Sequence, residues 1–307
     1  MRPRIGLFIA FLVFPAIGSA GSFGTSSKGT TAAGFLKLGV GARAVGMGEA
    51  FSAIADDATA LYWNPAALRQ VENNSISLIH ASYLESSNFQ YGAFAHSGEK
   101  SSIGLGVQYM SAGPLTGRDD SGIETGGFDP KDLAVGLGYA RDIGGISVGM
   151  SAKYIQSKIV DSAQTGAVDI GGLSPLFLNG KLRFAFTASN IGGKIKFDEK
   201  SESLPVLLKI GSGLHLSKAW LMSADIGFPK DNEPYGAIGT EYLVPIGQDI
   251  SIAGRAGYNS RTTGDVEGFS GASFGAGFNL KRMSFDYGFV PFGDLGSTHR
   301  VSLSLGF

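Results

Sequence analysis

The sequence predicts an all-β chain: a transmembrane antiparallel β-barrel of about fourteen strands, with an N-terminal hatch, or plug, containing short helices in the lumen. Three features carry that prediction. An export signal heads the chain, apolar residues recur at every second position over most of its length, and connections alternate between tight and long. Composition sets the bounds. The 307 residues include 47 glycines and no cysteine, with 25 Lys+Arg against 26 Asp+Glu. Glycine is thus about twice its usual ~7% share. There is no Gly-X-Y period and hydrophobic residues make up 43%, which excludes collagen and linker classes. A net charge of −1 with 17% charged residues gives no electrostatic footprint for nucleic acid, so no nucleic-acid partner is expected. Without cysteine there is no disulfide scaffold, Cys metal site, thiol nucleophile or lipidated N-terminal cysteine. No apolar run after residue 20 approaches the roughly 18 residues of a spanning helix, so a membrane would be crossed by strands.

Residues 1–20 read as a signal peptide. Arg2 and Arg4 precede an apolar run from Ile5 to Ile17, and Gly18-Ser19-Ala20 places small residues where a signal peptidase cuts. Residues 21–72 do not alternate and are assigned to the hatch; residues 73–307 are assigned to the barrel.

Within 73–307 the period is two. Ile103/Leu105/Val107/Tyr109, Leu133/Val135/Leu137/Tyr139, Ile146/Val148/Met150/Ala152/Tyr154, Leu182/Phe184/Phe186 and Val206/Leu208/Ile210 alternate with small or polar residues. So do Trp220/Met222/Ala224/Ile226/Phe228, Ile250/Ile252, Phe274/Ala276/Phe278/Leu280, Met283/Phe285/Tyr287/Phe289 and Val301/Leu303/Leu305/Phe307. Weaker runs at 76–84, 89–96, 166–174 and 235–243 complete a set of strands of roughly 8–11 residues, the length that crosses a tilted bilayer path.

Connection lengths separate a membrane barrel from a soluble sandwich. Asp142–Gly145, Ser217-Lys218, Pro245–Gln248 and Lys281-Arg282 are tight, with 97–102 and 175–181 somewhat longer. The intervening links are long and polar: Ser111–Lys131, Gln156–Thr165, Asn190–Leu204 and Asn259–Gly271. Short periplasmic turns and long outer loops give this asymmetry, and an even strand count then puts both chain ends on the periplasmic side. Tyr109, Tyr139, Tyr154, Trp220, Phe228, Tyr258 and Phe289, near strand ends, fit interfacial girdles; in a sandwich they would be core aromatics.

In the hatch, Asp56 is placed to cap a short helix running through Trp63, and Asn64-Pro65 reads as N-cap followed by first helical position. Inward positions on the strands are small, among them Gly104, Gly136, Gly149, Gly211, Gly257, Gly275, Gly277 and Gly288, which leaves room for a plug. Leucine at Gly136 or Gly277 is expected to displace it. Lumen charges are Lys153, Arg183, Lys209, Arg255 and Arg300 against Asp225 and Asp286. The hatch acids Glu49, Asp56 and Asp57 are expected to pair with some of those cations, because charges out of bulk water need partners. The alternative is that Asp56 and Asp57 merely cap a helix.

Chemistry is sparse. His80, His96, His215 and His299 are isolated, so no metal site or cofactor is assigned. His80 beside Ser77 and Ser82 is the nearest approach to a wall-borne hydrolase, with no acid partner named, and no catalytic residue is assigned. The glycine pairs at 39/41 and 46/48 lack what a phosphate loop requires. Arg118-Asp119-Asp120-Ser121-Gly122 reads as a solvated outer loop rather than a calcium loop.

Two segments carry a resemblance. The stretch Gly41-Ala42-Arg43-Ala44-x-Gly46-Met47-Gly48, then Ala55-Asp56-Asp57-Ala58, then Trp63-Asn64-Pro65-Ala66 resembles the N-terminal hatch of the PorV/PorQ-type branch of the FadL superfamily of outer-membrane proteins. Phe285-Asp286-Tyr287-Gly288-Phe289 through His299-Arg300 resembles the last hairpin of that branch. The resemblance implies a fourteen-strand outer-membrane barrel with its N-terminal segment folded into the lumen. It implies either of two functions. One is passive transport of hydrophobic or amphipathic, fatty-acid-like small molecules past the plug, with Phe35, Leu36, Leu38, Met47 and Phe51 as ligand contacts; simple plug-to-wall packing is the other reading of those five. The second is an accessory role in a type IX-like protein secretion system, docking cargo or secretion components through the outer loops. Expected partners are outer-membrane lipid, lipid-like small molecules and secretion-system proteins.

Overall fold

The computed structural model describes residues 30–83, 87–197, 200–262 and 269–307. The signal peptide and the first residues of the hatch lie outside them. In chain order the strands are β1 (Asn74–Ser82), β2 (Asn88–Ser97), β3 (Ser101–Ser111), β4 (Leu115–Arg118), β5 (Glu124–Phe128), β6 (Lys131–Ile143), β7 (Ile146–Lys158), β8 (Ser162–Leu173) and β9 (Leu182–Gly192). They continue with β10 (Lys194–Phe197), β11 (Lys200–Ser203), β12 (Leu207–His215), β13 (Trp220–Pro229), β14 (Tyr235–Pro245), β15 (Ile250–Asn259), β16 (Ala272–Leu280), β17 (Met283–Pro291) and β18 (Ser297–Gly306).

Fourteen of these close an antiparallel barrel in chain order, β18 pairing back onto β1 from Ser75↔Gly306 to Ser82↔His299. The other four form two hairpins outside the wall, β4–β5 and β10–β11. Full closure leaves the barrel no open edge, the condition under which a sheet can sit in hydrocarbon. Apolar residues on the predicted outward parity, such as Leu105, Leu137, Met150, Ile210, Phe274 and Phe285, are exposed to the surroundings.

One rim carries the tight turns: 98–100, 144–145, 174–181, 216–219, 246–249 and 281–282. At the tightest, Gly144 and Gly145 both take positive φ (59° and 88°), which a two-residue hairpin turn asks of its centre. The opposite rim carries the long loops, with one correction. The expected loop 156–165 shrinks to 159–161, because β7 and β8 pair as far as Lys158↔Ser162. Likewise 112–130 and 193–206 hold the two extra hairpins. Polar residues beyond the bilayer still join hydrogen-bonded ladders, so pairing outlasts the apolar alternation that betrays it in sequence.

Residues 30–72 fill the lumen as short helices joined by turns: a 3₁₀ turn Gly34–Lys37, α1 (Ala42–Gly46), α2 (Ala60–Trp63) and a 3₁₀ helix Pro65–Gln70. Asn64 caps the last as expected, its side chain accepting from the Ala66 N–H at 3.0 Å with Pro65 next in line. The start of α2 differs from the expectation: the helix begins at Ala60 with Thr59 at the N-cap position and no side-chain cap, while Asp57 accepts from the Thr59 N–H (2.8 Å) and hydroxyl (2.5 Å) in the turn just before it. Val40, Met47, Phe51 and Leu68 are wholly buried in the main apolar cluster, each worth about 1.5–3 kcal/mol relative to exposure.

The plug runs from rim to rim. Thr31 bridges in parallel to Ser203 of β11, and the Ala32 N–H donates to the Ser203 carbonyl at 3.1 Å, both at the long-loop rim. Val71 leaves toward β1 at the tight-turn rim. There Asn74 and Phe307 exchange backbone hydrogen bonds of 3.1 and 3.0 Å. The two ends of the wall therefore meet at one rim, and Thr30, the first described residue, stands at the other; the N-terminus itself lies outside the described residues.

Candidate functional site

The contact between plug and wall is made by small residues on both sides. A β-carbon at Gly257 would stand 2.0 Å from the Gly48 nitrogen, and one at Gly149 2.4 Å from the Ala66 nitrogen. Gly46 and Gly275 face each other in the same way. Wall serines accept from plug N–H groups: Ser302 from Ala42 (2.6 Å), Ser273 from Gly48 (3.0 Å) and Ser75 from Ala58 (3.1 Å). Not every inward glycine does this. Gly136 faces the Lys153 side chain, and Gly277 clears space for Arg255 and Asp286, so leucine at either would first disturb wall charges rather than the plug.

A chain of alternating charges joins the two parts. Arg255 bonds Asp286 (2.7 Å) and Glu241 (2.5 Å), Glu241 takes Arg43 of α1 at both oxygens (2.8 and 2.9 Å), and Arg43 reaches Asp56 (2.6 Å). Arg255, Glu241 and Asp286 are buried, and the Arg43 guanidinium also stacks over Phe51 at 5.5 Å. Nearby, Asp225 accepts from the Phe51 and Ser52 N–H groups (3.2 Å each) and the Ser52 hydroxyl (2.8 Å). Lys209 lies 3.5 Å from Asp225 and 4.9 Å above the Trp63 ring. Arg300 donates to the Gly39 carbonyl at 2.5 Å, and Arg183 bonds Gln70.

The hatch acids do not pair with the five lumen cations named from sequence. Glu49 bonds Arg261 at 3.0 Å, Asp56 bonds Arg43 within the plug with about half its side chain exposed (49%), and Asp57 accepts from Thr59 in the turn before α2. Lys153, Lys209 and Arg255 are matched by wall acids instead. Lys153 meets Asp169 at 2.8 Å beside a register shift between Val168 and Ile170, where Asn190 takes a positive φ of 59° and its N–H donates to Asp169 at 2.7 Å. Glu241, Asp169, Arg261 and Gln108, whose amide donates to the Phe35 carbonyl at 2.8 Å, were not singled out in sequence. Inward parity was the available signal for Gln108, in a strongly alternating run, and for Asp169 and Glu241, in weak ones; Arg261 follows β15 in a 3₁₀ turn and had none.

At the long-loop rim Asp231 bonds Lys37 (2.8 Å) and Thr31 (2.5 Å). Burial raises its pKa, but hydrogen bonds from the Lys37 ammonium and the Thr31 hydroxyl outweigh that and hold the carboxyl below the usual carboxylate range. At the other rim Arg69 ties the plug exit to Asp142 (2.9 Å) and the Gly98 and Glu99 carbonyls (2.8 Å each). Of the two serines beside His80, Ser77 lies on the opposite face, buried against Ser304 at 2.9 Å, while Ser82 shares the outward face with His80. Asp119 closes the β4–β5 tip by accepting from the Ser121 and Ile123 N–H groups at 2.9 Å, as a solvated loop does.

The apolar hatch residues do not line one pocket. Phe35 and Leu36 join Ile195 and Leu204 in a cluster under β10, Met47 and Phe51 belong to the main cluster, and Leu38 is half-buried against both. Leu36 borders a lumen cavity of about 60 Å³ with Tyr62, Trp63 and Lys209. The larger space is a polar vestibule of about 720 Å³ at the tight-turn rim, lined by Arg43, Asp56, Arg69, Glu241 and Arg282 among others.

Comparison with solved structures gives the fold. The Pseudomonas putida toluene transporter TodX superposes with a TM-score of 0.61 at 10% identity, covering 87% of this chain and 96% of that one. The Ralstonia pickettii toluene transporter TbuX gives 0.61 at 12% identity over 88% and 98%, and a Pseudomonas aeruginosa FadL homologue 0.56 at 10% over 87% and 98%. Comparison with curated proteins returns no match. A family model described as Type IX secretion system protein PorV matches residues 25–219, more than half of the 307-residue chain. An outer-membrane β-barrel of FadL-type fold, the chain thus belongs to the PorV family of type IX secretion system proteins.

Proposed function

We propose that this protein is a closed docking barrel of a type IX secretion apparatus, which binds cargo or another secretion component at its long-loop rim. The observation that carries this reading is the fit of plug to wall. Glycines meet glycines, wall serines bind plug N–H groups, and the Glu241–Arg43 pair ties the two together. A lumen so filled suits a platform whose work lies outside it. The long loops face the cell exterior in this reading and the turns and Phe307 face the periplasm, in keeping with the usual asymmetry of outer-membrane barrels. The β4–β5 hairpin, with exposed Leu115 and Ile123, stands out from the wall and is the first candidate contact.

Passive transport of fatty-acid-like molecules is the competing reading, favoured by the fold shared with the toluene transporters. It needs the plug to shift, because the lumen cavity at Leu36 holds only about 60 Å³.

One experiment separates the two. The protein is extracted from its native membrane in mild detergent, and bound proteins are identified for the full chain, for a chain lacking residues 112–130, and for Phe51→Asp. Docking predicts partners lost with the hairpin and kept with Phe51→Asp. Partners retained without the hairpin, together with fatty-acid binding that Phe51→Asp abolishes, would overturn the docking reading in favour of transport.

A further inference from the structure

Among the described residues the buried cations are Lys209, Arg255 and Arg300, all on inward positions of the wall. Lys209 faces Asp225, and Arg255 is matched by Glu241 and Asp286. Arg300 has no acid. It is 3% exposed, less than either of the others, and neutral groups alone hold it. Its Nη1 donates to the Gly39 carbonyl of the plug at 2.5 Å, and its guanidinium lies 5.8 Å from the centre of the Tyr83 ring. Its Nε is buried with no hydrogen-bond partner. A charge taken out of water needs an opposite charge and hydrogen bonds to offset the lost hydration. The carbonyl and the ring supply part of that, and an orphaned N–H on a buried guanidinium is the remainder.

The surroundings are short of negative charge. Arg300 lines a cavity of about 40 Å³ between plug and wall below the long-loop rim, together with Gly48, Glu49, Tyr83, Arg261 and Ser273. Glu49 is the one acid among the described lining residues, and it is taken by Arg261 at 3.0 Å. Two cations against one acid leave a single positive charge unmatched. Donors are also in excess. Ser273 accepts from the Gly48 N–H at 3.0 Å, which leaves its own hydroxyl proton to give. Thr298, paired in register with the lining residue Val290, has a buried hydroxyl with no partner.

Size narrows the occupant. One water needs roughly 10–15 Å³ of such space, so the cavity admits a small ion and excludes an acyl chain or a peptide. Water would fit but carries no charge to set against the guanidinium.

We propose that this cavity is a binding site for one small monovalent anion of chloride size, which accepts hydrogen bonds from Arg300 Nε and the Ser273 hydroxyl. Arg300 also holds the Gly39 carbonyl, so the bound anion fixes the side chain that ties this part of the plug to β18. The site lies inside the wall and stands independently of the docking reading.

The test takes the full mature chain in mild detergent and exchanges gluconate, too large for the cavity, for chloride at constant ionic strength. The midpoint of thermal unfolding, read by heat-modifiable gel migration, is expected to rise saturably by about 2 °C or more as an anion that binds the folded state stabilises it. Arg300→Gln, which keeps the length of the side chain and removes its charge, should lose that rise. Crystals of the wild type grown with bromide in place of chloride provide a reading that needs no variant to fold: one anomalous peak within hydrogen-bond distance of Arg300 Nε. A cavity holding water alone in those crystals, or a carboxylate of this chain seated on Arg300, would overturn the proposal. So would a wild-type midpoint indifferent to chloride, or a rise that folded Arg300→Gln retains in full.

Discussion

Glu241 decides more at the scale of single residues than any other side chain in the lumen. It takes both Arg43 and Arg255, and Arg255 is almost wholly enclosed (2% of its side chain exposed), so removing the carboxylate leaves Arg255 to Asp286 alone beside an Arg43 that it no longer shares an acid with. Glu241→Ala should lower stability by about 3–5 kcal/mol, the usual cost of breaking a buried pair from one side. Denaturant unfolding in detergent checks this, and a loss under about 1 kcal/mol, the scale of an exposed pair, would mean that water reaches Arg255 freely. Nothing in the sequence marks Glu241 as special. It is one acid in a weakly alternating run, and its parity acquires meaning from the register that sets Glu241 opposite Arg255. Arg255 and Asp286, on strands whose alternation is strong, were legible as lumen charges for that reason. The pairing of Glu49, Asp56 and Asp57 was not, because the plug's path, and so which wall charge each meets, is a tertiary property.

Among the elements, the helix starts were the most readable. Asn64-Pro65 carries its cap in two adjacent residues, and the structure uses both as the sequence indicates. The Asn64 amide does more than cap: it donates to the Ser52 carbonyl at 3.0 Å and lies 3.3 Å from that of Gly172 on the wall. Asn64→Ala should therefore cost about 1–2 kcal/mol, at or above a typical cap, and show as a lower thermal midpoint. A midpoint equal to wild type would mean that the cap is not needed. The expected Asp56 cap is not formed: α2 has no side-chain cap, and it is Asp57 that binds Thr59 in the turn before it, since two adjacent aspartates offer the same chemistry and the turn chooses between them. The β4–β5 and β10–β11 hairpins were hidden for another reason. Strands of four or five residues are too short for a period to show: β4–β5 stands exposed, and β10 offers just Ile195 and Phe197, which pack over the plug.

For the whole molecule, the glycine excess, the fourteen strands and the rim asymmetry belong to one arrangement: a wall thinned on the inside to admit a plug that spans it from Thr31 to Val71. Alternation and connection length made the barrel legible before any contact was known, since lipid outside and a filled lumen inside constrain every second residue. The route of the plug was not legible in the same way; its attachment to β11 at one rim and exit beside Arg69 at the other rest on hydrogen bonds between distant segments. The central claim is that the barrel is shut and that the Arg43–Glu241 tie helps to hold it so. Planar-bilayer recording of the purified protein tests it most directly. The account predicts no steady conductance from the wild type and frequent opening from Arg43→Ala; a wild type that conducts as steadily as Arg43→Ala would contradict it.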